Sequence, residues 1–203
     1  GVTLELLDAN GNPTGITTVT SSEPGSVGFY EFRNLHEGNY GVREVQPDGW
    51  LDGKDTAGSH GGTAADESAG RVDRIVGATL AYGDHATEYN FGELLVGSIS
   101  GHVFASTGPH CDPNDPEIRV AGVTIDLIDA TGTVIATTQT LADGSYLFTG
   151  IAPGVYTVRE HQPTEYYDGD EHIGSEGGDS SDIGDTYSLF TNIVLGSGVD
   201  AVR

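Results

Sequence analysis

The chain has 203 residues, with 31 acidic against eight basic ones, a formal net charge of −23, and 31 glycines. A field of that sign repels nucleic acid and anionic membrane surfaces, and no apolar run reaches bilayer-crossing length. The single cysteine, Cys111, excludes an internal disulfide, and the absence of methionine marks the sequence as part of a longer polypeptide.

In chain order, Val2, Leu4 and Leu6 alternate with Thr3 and Glu5, the period of a half-buried strand. Asp8-Ala-Asn-Gly11 then supplies turn chemistry: an acidic side chain for local hydrogen bonds and a glycine for positive φ. A threonine-rich strand follows at Ile16–Thr20. The Ser22–Gly25 loop leads to Tyr30 and Phe32, and Gly38–Glu44 alternates again. After Gln46-Pro47 come Trp50 and a glycine-rich acidic loop. Tyr89–Val96 reads as a last strand and Gly97–Phe104 as a first strand, which sets a domain boundary at Val96 and Gly97 with almost no linker.

Beyond that boundary the sequence repeats itself. Gly1–Asp8 returns as Gly122–Asp129, the Asp8 turn as Asp129-Ala-Thr-Gly132, Tyr30-Glu-Phe32 as Tyr146-Leu-Phe148, and Gly38–Glu44 as Gly154–Glu160. The offset is 121 at Val2 and Val123 and 116 at Tyr30 and Tyr146, so one loop of the second copy is five residues shorter. A period this long holds a full set of strands, which predicts two tandem domains, 1–96 and 97–203. Turn signals every 8 to 12 residues or so predict all-β antiparallel sandwiches with almost no helix. The repeat is out of phase with the sequence: the first copy shows no counterpart of Gly97–Phe104, and in the second a match to Tyr89–Glu93 is expected only beyond Arg203.

Gly122–Asp129, Asp143-Gly-Ser-Tyr-Leu-Phe148, Ala152–Glu160, Tyr166-Tyr-Asp-Gly169 and Gly174-Ser-Glu-Gly-Gly178 together resemble the B-type repeats of serine-aspartate-repeat surface proteins. They also resemble the wider Cna-B and carboxypeptidase-regulatory-like groups. The likeness covers nearly the whole chain in both copies. It implies a prealbumin-like, Ig-like sandwich used as an extracellular or cell-surface stalk, often calcium-stabilised, whose partners are neighbouring repeats of the same chain. In Cna-B domains a glutamate in this position promotes a Lys to Asn isopeptide bond. Here Asn90 matches the acceptor, but Lys54 is the chain's only lysine and lies in a loop. The sequence therefore predicts no cross-link, with the inward Glu44 and Glu160 held by backbone amides, the preceding arginine or water.

The acidic loops carry the candidate chemistry. Asp52 and Asp55 in the first copy correspond to Asp168 and Asp170 in the second, and hard oxygen donors on a flexible glycine-rich backbone suit Ca²⁺. Asp112, Asn114, Asp115 and Glu117 form a second candidate set where the family carries an Asp-x-Asn-x-Asp-Gly loop, though prolines stand at its flexible positions and the turn glycine is missing. The alternative for both sets is solvated surface charge. No zinc spacing and no nucleophile elbow appears, so no enzyme is expected. Two functions remain: a calcium-stabilised spacer, or a recognition module binding an extracellular protein or glycan through residues 50–70 and 164–186, with Trp50, Tyr166 and Tyr167 as stacking surfaces. The loops differ between copies in length and charge, which favours the spacer.

Overall fold

The computed structural model describes residues 1–65, 73–106, 117–167, 169, 171–183 and 186–202. The fold is all-β, with no α-helix among the described residues. The chain separates into two compact units, Gly1–Leu94 and Leu95–Arg203.

Unit 1 contains β1 (Thr3–Leu7), β2 (Pro13–Val19), β3 (Gly38–Val45), β4 (Trp50–Asp52), β5 (Thr63–Ala65) and β6 (Arg74–Leu80), and β7 (Glu93–Leu95) begins at its end. Five of these form an antiparallel sheet in the order β2-β1-β3-β6-β5, and β4 pairs with β7. The β1–β2 hairpin turns on Asp8, whose Oδ1 accepts from Asn10 N and Asn12 N at 2.8 and 2.9 Å. Gly11 takes φ 78° there and closes the turn with its N–H on Asp8 O. The inward positions of β1 and β6, Leu4, Leu6 and Ile75, are at most 2% exposed.

Unit 2 contains β8 (Gly97–His102), β9 (Phe104–Ser106), β10 (Glu117–Arg119), β11 (Thr124–Ile128), β12 (Val134–Gln139), β13 (Ser145–Ile151), β14 (Gly154–His161), β15 (Asp179–Ile183), β16 (Tyr187–Leu195) and β17 (Asp200–Ala201). Its large sheet, β12-β11-β14-β16-β15, repeats the order of unit 1. A second sheet, β13-β8-β17, lies in the same unit, and Ile99, Tyr146 and Phe148 from it join Ile125, Leu127, Val158 and Phe190 in one core. β9 and β10 form a separate two-stranded ribbon.

The two copies differ in one strand. Ser145–Ile151 is β13 and pairs along its length with β8, but its repeat counterpart around Tyr30 and Phe32 has no ladder. The cause is partner supply: a strand exists only where a neighbour takes its backbone groups, and the described residues of unit 1 contain no counterpart of β8.

Leu127 is wholly buried at the centre of the unit 2 core. Leu127→Ala should therefore cost about 2–5 kcal/mol, read as a lowered denaturation midpoint for that unit. A change below the range expected for surface substitutions would contradict the packing described.

Candidate metal centre

Strand alternation places Glu44 opposite Leu4 on the buried side of β3, while its neighbour Arg43 reaches across to Glu5. Arg43 is therefore not the group that holds Glu44, contrary to one of the sequence expectations. Glu44 is 6% exposed, and its Oε2 is buried with no hydrogen-bond partner among the described residues. It faces Asp73, just ahead of β6, and Glu93 at the start of β7, with one oxygen of each within 4.8 Å of the others. The backbone fixes the first pair, since Glu44 N donates to Asp73 O at 2.9 Å.

Asp73 also belongs to a second triad, with Asp52 and Asp55, under the same 4.8 Å limit. Glycine permits this convergence. A Cβ at Gly92 would lie 2.7 Å from the Lys54 carbonyl oxygen, and one at Gly53 2.6 Å from the Gly92 carbonyl oxygen, so only bare backbone lets the two segments touch. Gly53 N donates to Gly92 O at 2.7 Å, which seats the Asp52–Asp55 loop beside Glu93. Five carboxylates thus meet in one place. Asp73, 4% exposed, has both oxygens buried with no donor among the described residues.

Electrostatics follows from that geometry. Burial, and then the charge of Glu93, push the Glu44 carboxyl up to about 8. Burial, and then Asp55, push Asp73 up to about 8, and burial raises Glu93 as well. Without a cation the site keeps protons that ordinary carboxylates lose. A hard divalent ion would replace them, since six to eight oxygens are what Ca²⁺ takes and the orphaned oxygens are already gathered. Asp73 is common to both triads and would be the group shared by any ion held there.

The sequence therefore located two of the five groups, Asp52 and Asp55. It flagged Glu44 by alternation without giving it a role, and it missed Asp73 and Glu93. Asp168, Asp170, Asp112, Asn114 and Asp115 lie outside the described residues, and of Glu117 only the backbone, in β10, is described. Lys54 and Asn90 are both exposed, and Asn90 donates to Glu88 at 3.2 Å. Glu44 faces the carboxylates of Asp73 and Glu93.

One relay resembles catalytic machinery. Ser59 Oγ lies 2.9 Å from His60 Nδ1, and His60 Nε2 lies 3.3 Å from Asp84 Oδ2. The serine oxygen, however, accepts from Thr87 N at 3.0 Å, and Ser175 makes the equivalent bond to Val202 N with Glu176 where the histidine would stand. Its role is to hold two segments together.

The family model for the SdrD B-like domain matches residues 1–93 and again 97–202. Among curated proteins, serine-aspartate repeat-containing protein F of Staphylococcus epidermidis is 31% identical over 82% of this chain and 9% of its own length. Serine-aspartate repeat-containing protein D of Staphylococcus aureus (strain Newman) is 32% identical over 82% of this chain and 12% of its own length. The chain thus spans about a tenth of these relatives. Among solved structures, the Bacillus anthracis TIE protein aligns over the whole chain and 30% of its own, with 18% identity and a TM-score of 0.35.

Two measurements check the site. Native Glu44 and Asp73 bind protons up to about pH 8, whereas unfolded carboxylates release them near pH 4. Their contribution in chelator is therefore fully present below about pH 4 and is lost as pH rises through about 8. Chelated protein should melt at falling temperature across that window. A midpoint rising from pH 5 to 8 would contradict the clustering. Intact mass should equal the sequence mass with no loss of ammonia or water, because no lysine reaches Glu44.

Proposed function

The chain belongs to the SdrD B-like domain family, and on that premise we propose that it is a structural spacer whose first unit is locked by Ca²⁺ at Glu44, Asp52, Asp55, Asp73 and Glu93. It is an extracellular or cell-surface segment, and its function is structural. The observation that carries the calcium reading is Asp73: a carboxylate 4% exposed, both oxygens without a donor among the described residues, shared by two acidic triads. Burying an unpaired carboxylate costs several kcal/mol, and a bound divalent cation removes that cost.

The carboxylates come from separate parts of the unit: the end of β3, the end of β4 and the loop after it, the residue just ahead of β6, and the start of β7. An ion held by all of them ties the β4–β7 pair to the large sheet. Calcium would act here as a staple in a chain whose one cysteine cannot form an internal disulfide, and neighbouring repeats of the same polypeptide are its partners. In an extracellular setting, where calcium is plentiful, such a unit stays closed. Display or adhesion would be carried by domains that the spacer holds away from the surface.

Thermal melts with calcium and with chelator test this reading. With free Ca²⁺ about 100-fold above Kd, one site adds about 2.7 kcal/mol, and superimposable curves would reject it. Asp73→Asn separates the ion from general stability. It should weaken calcium affinity at least about tenfold, one strong ligand interaction, while leaving the chelated protein as stable as the parent or more so, because a neutral amide needs no proton taken up on folding. A variant that keeps the full calcium response would remove Asp73 from the site.

A further inference from the structure

Among the described residues, the two large sheets end in the edge strands β2, β5, β12 and β15, and three of these carry devices that block pairing with a further strand. β5 spans three residues, and β15 carries Asp179 and Asp182. β2 opens on Pro13, which has no N–H to offer, and is irregular around Gly15 at φ 81°. β12, its counterpart in the second copy, is bare. It reads Val134-Ile-Ala-Thr-Thr-Gln139, without a proline, a glycine or a charge. Its one register shift lies at the Val134 end, so Ala136–Gln139 is regular ladder.

The surroundings of β12 match it. The chain turns at Leu141–Gly144 into β13, the edge strand of the second sheet, which runs close to β12 along the same side of unit 2. Val134, Ile135, Leu141 and Leu147 are all exposed there, by 43 to 65%. From Ala130 to Val158 the only charged residue is Asp143, in a chain of which 19% is charged. The N–H and C=O groups on the free side of β12 need partners, and no charge keeps a second strand away from them.

We propose that β12 is a self-pairing edge, through which two copies of the chain join antiparallel along Ala136–Gln139 and merge their five-stranded sheets into one. Charge selects this occupant. A basic partner is drawn to carboxylates, which this side lacks, and an acidic one meets a net charge of −23 with no compensating contact. A strand that is itself uncharged is what fits, and β12 of a second copy is such a strand. The pairing is also self-consistent. About a twofold axis through Thr137, that residue faces itself, Ala136 faces Thr138 and Ile135 faces Gln139, so no charge opposes another. The two copies repel at long range, and salt removes that repulsion: the Debye length falls from about 10 Å at 0.1 M to about 3 Å at 1 M.

Sedimentation velocity over rising concentration, in about 0.1 M and about 1 M salt, tests this with two double variants. Ile135→Glu with Gln139→Glu charges the β12 edge, and Ile16→Glu with Val19→Glu adds the same charge at exposed positions of β2. The parent and the β2 variant should dimerise, more so in high salt, while the β12 variant stays monomeric. Amide exchange at the outward N–H groups of Ala136–Gln139 should slow at least about tenfold in the dimer. A parent that is monomeric in both salts overturns the proposal. So does a β12 variant that associates as the parent does, an equal loss in both variants, or a dimer whose protection lies outside β12.

Discussion

Mutual repulsion among Glu44, Asp52, Asp55, Asp73 and Glu93 is the constraint on which unit 1 depends. The small β4–β7 pair and the Thr56–Asn90 bridge bring the end of the unit back onto the loop after β4, and the acidic site lies at that seam. Each carboxylate is there because a backbone contact seats it, so the fold gathers the charge before anything neutralises it. Two neutralisers are available. Protons serve below about pH 8, at the cost of making the unit's closure pH-dependent. In the proposed reading a divalent cation would serve above it, and would convert the same oxygens from a liability into a clamp.

The second unit handles the same topology with different charges. At the register position of Asp73 stands Ser188, opposite Glu160 as Asp73 lies opposite Glu44, so the carboxylate common to both triads is replaced by a hydroxyl. Its buried acid sits elsewhere. Asp126, 4% exposed, accepts from Thr137 Oγ1 at 2.6 Å and Arg159 Nη2 at 2.5 Å, and lies 2.7 Å from His161 Nε2. Burial alone would raise this carboxyl, but Thr137, His161 and Arg159 hold it down to about 2. Asp126 therefore contributes stability above the ordinary carboxylate range and loses it as pH falls through about 2. Among the described residues, the first repeat gathers carboxylates against one another, and the second holds its buried Asp126 against a hydroxyl and two basic side chains.

Much of this was legible in the chain. Period-two alternation located β1, β3, β11 and β14, and the Asp-x-x-Gly turns were read correctly because their chemistry is local: Asp129 Oδ1 accepts from Thr131 N and Thr133 N, as Asp8 does in the first copy. The candidate metal site was only half legible because its carboxylates are brought together by sheet register. Asp52 and Asp55 stood out by mutual proximity in a glycine-rich loop. Asp73 follows a long acidic loop with no spacing motif, and Glu93 ends a strand-like stretch. Glu44 could be seen to point inward, but what it points at depends on how β3, β6 and β7 are arranged.

The segment around Tyr30 shows the same limit in the opposite direction. Its side chains behave as those of β13 do: Tyr30 and Phe32 meet edge-on with centroids 6.1 Å apart, as Tyr146 and Phe148 do at 6.1 Å. Even the backbone irregularity is shared, with Asn34 at φ 58° where Gly150 sits at φ 70°. Yet one copy is a strand and the other is not. Apolar packing therefore sets the path of this segment by itself, through alternation and the aromatic pair, whereas the ladder needs a second chain segment that no local pattern can supply. Side-chain periodicity reports which face is buried; hydrogen-bonded strand structure reports who the neighbour is. In this repeat the two properties separate cleanly, because the same motif occurs once with its neighbour and once without it.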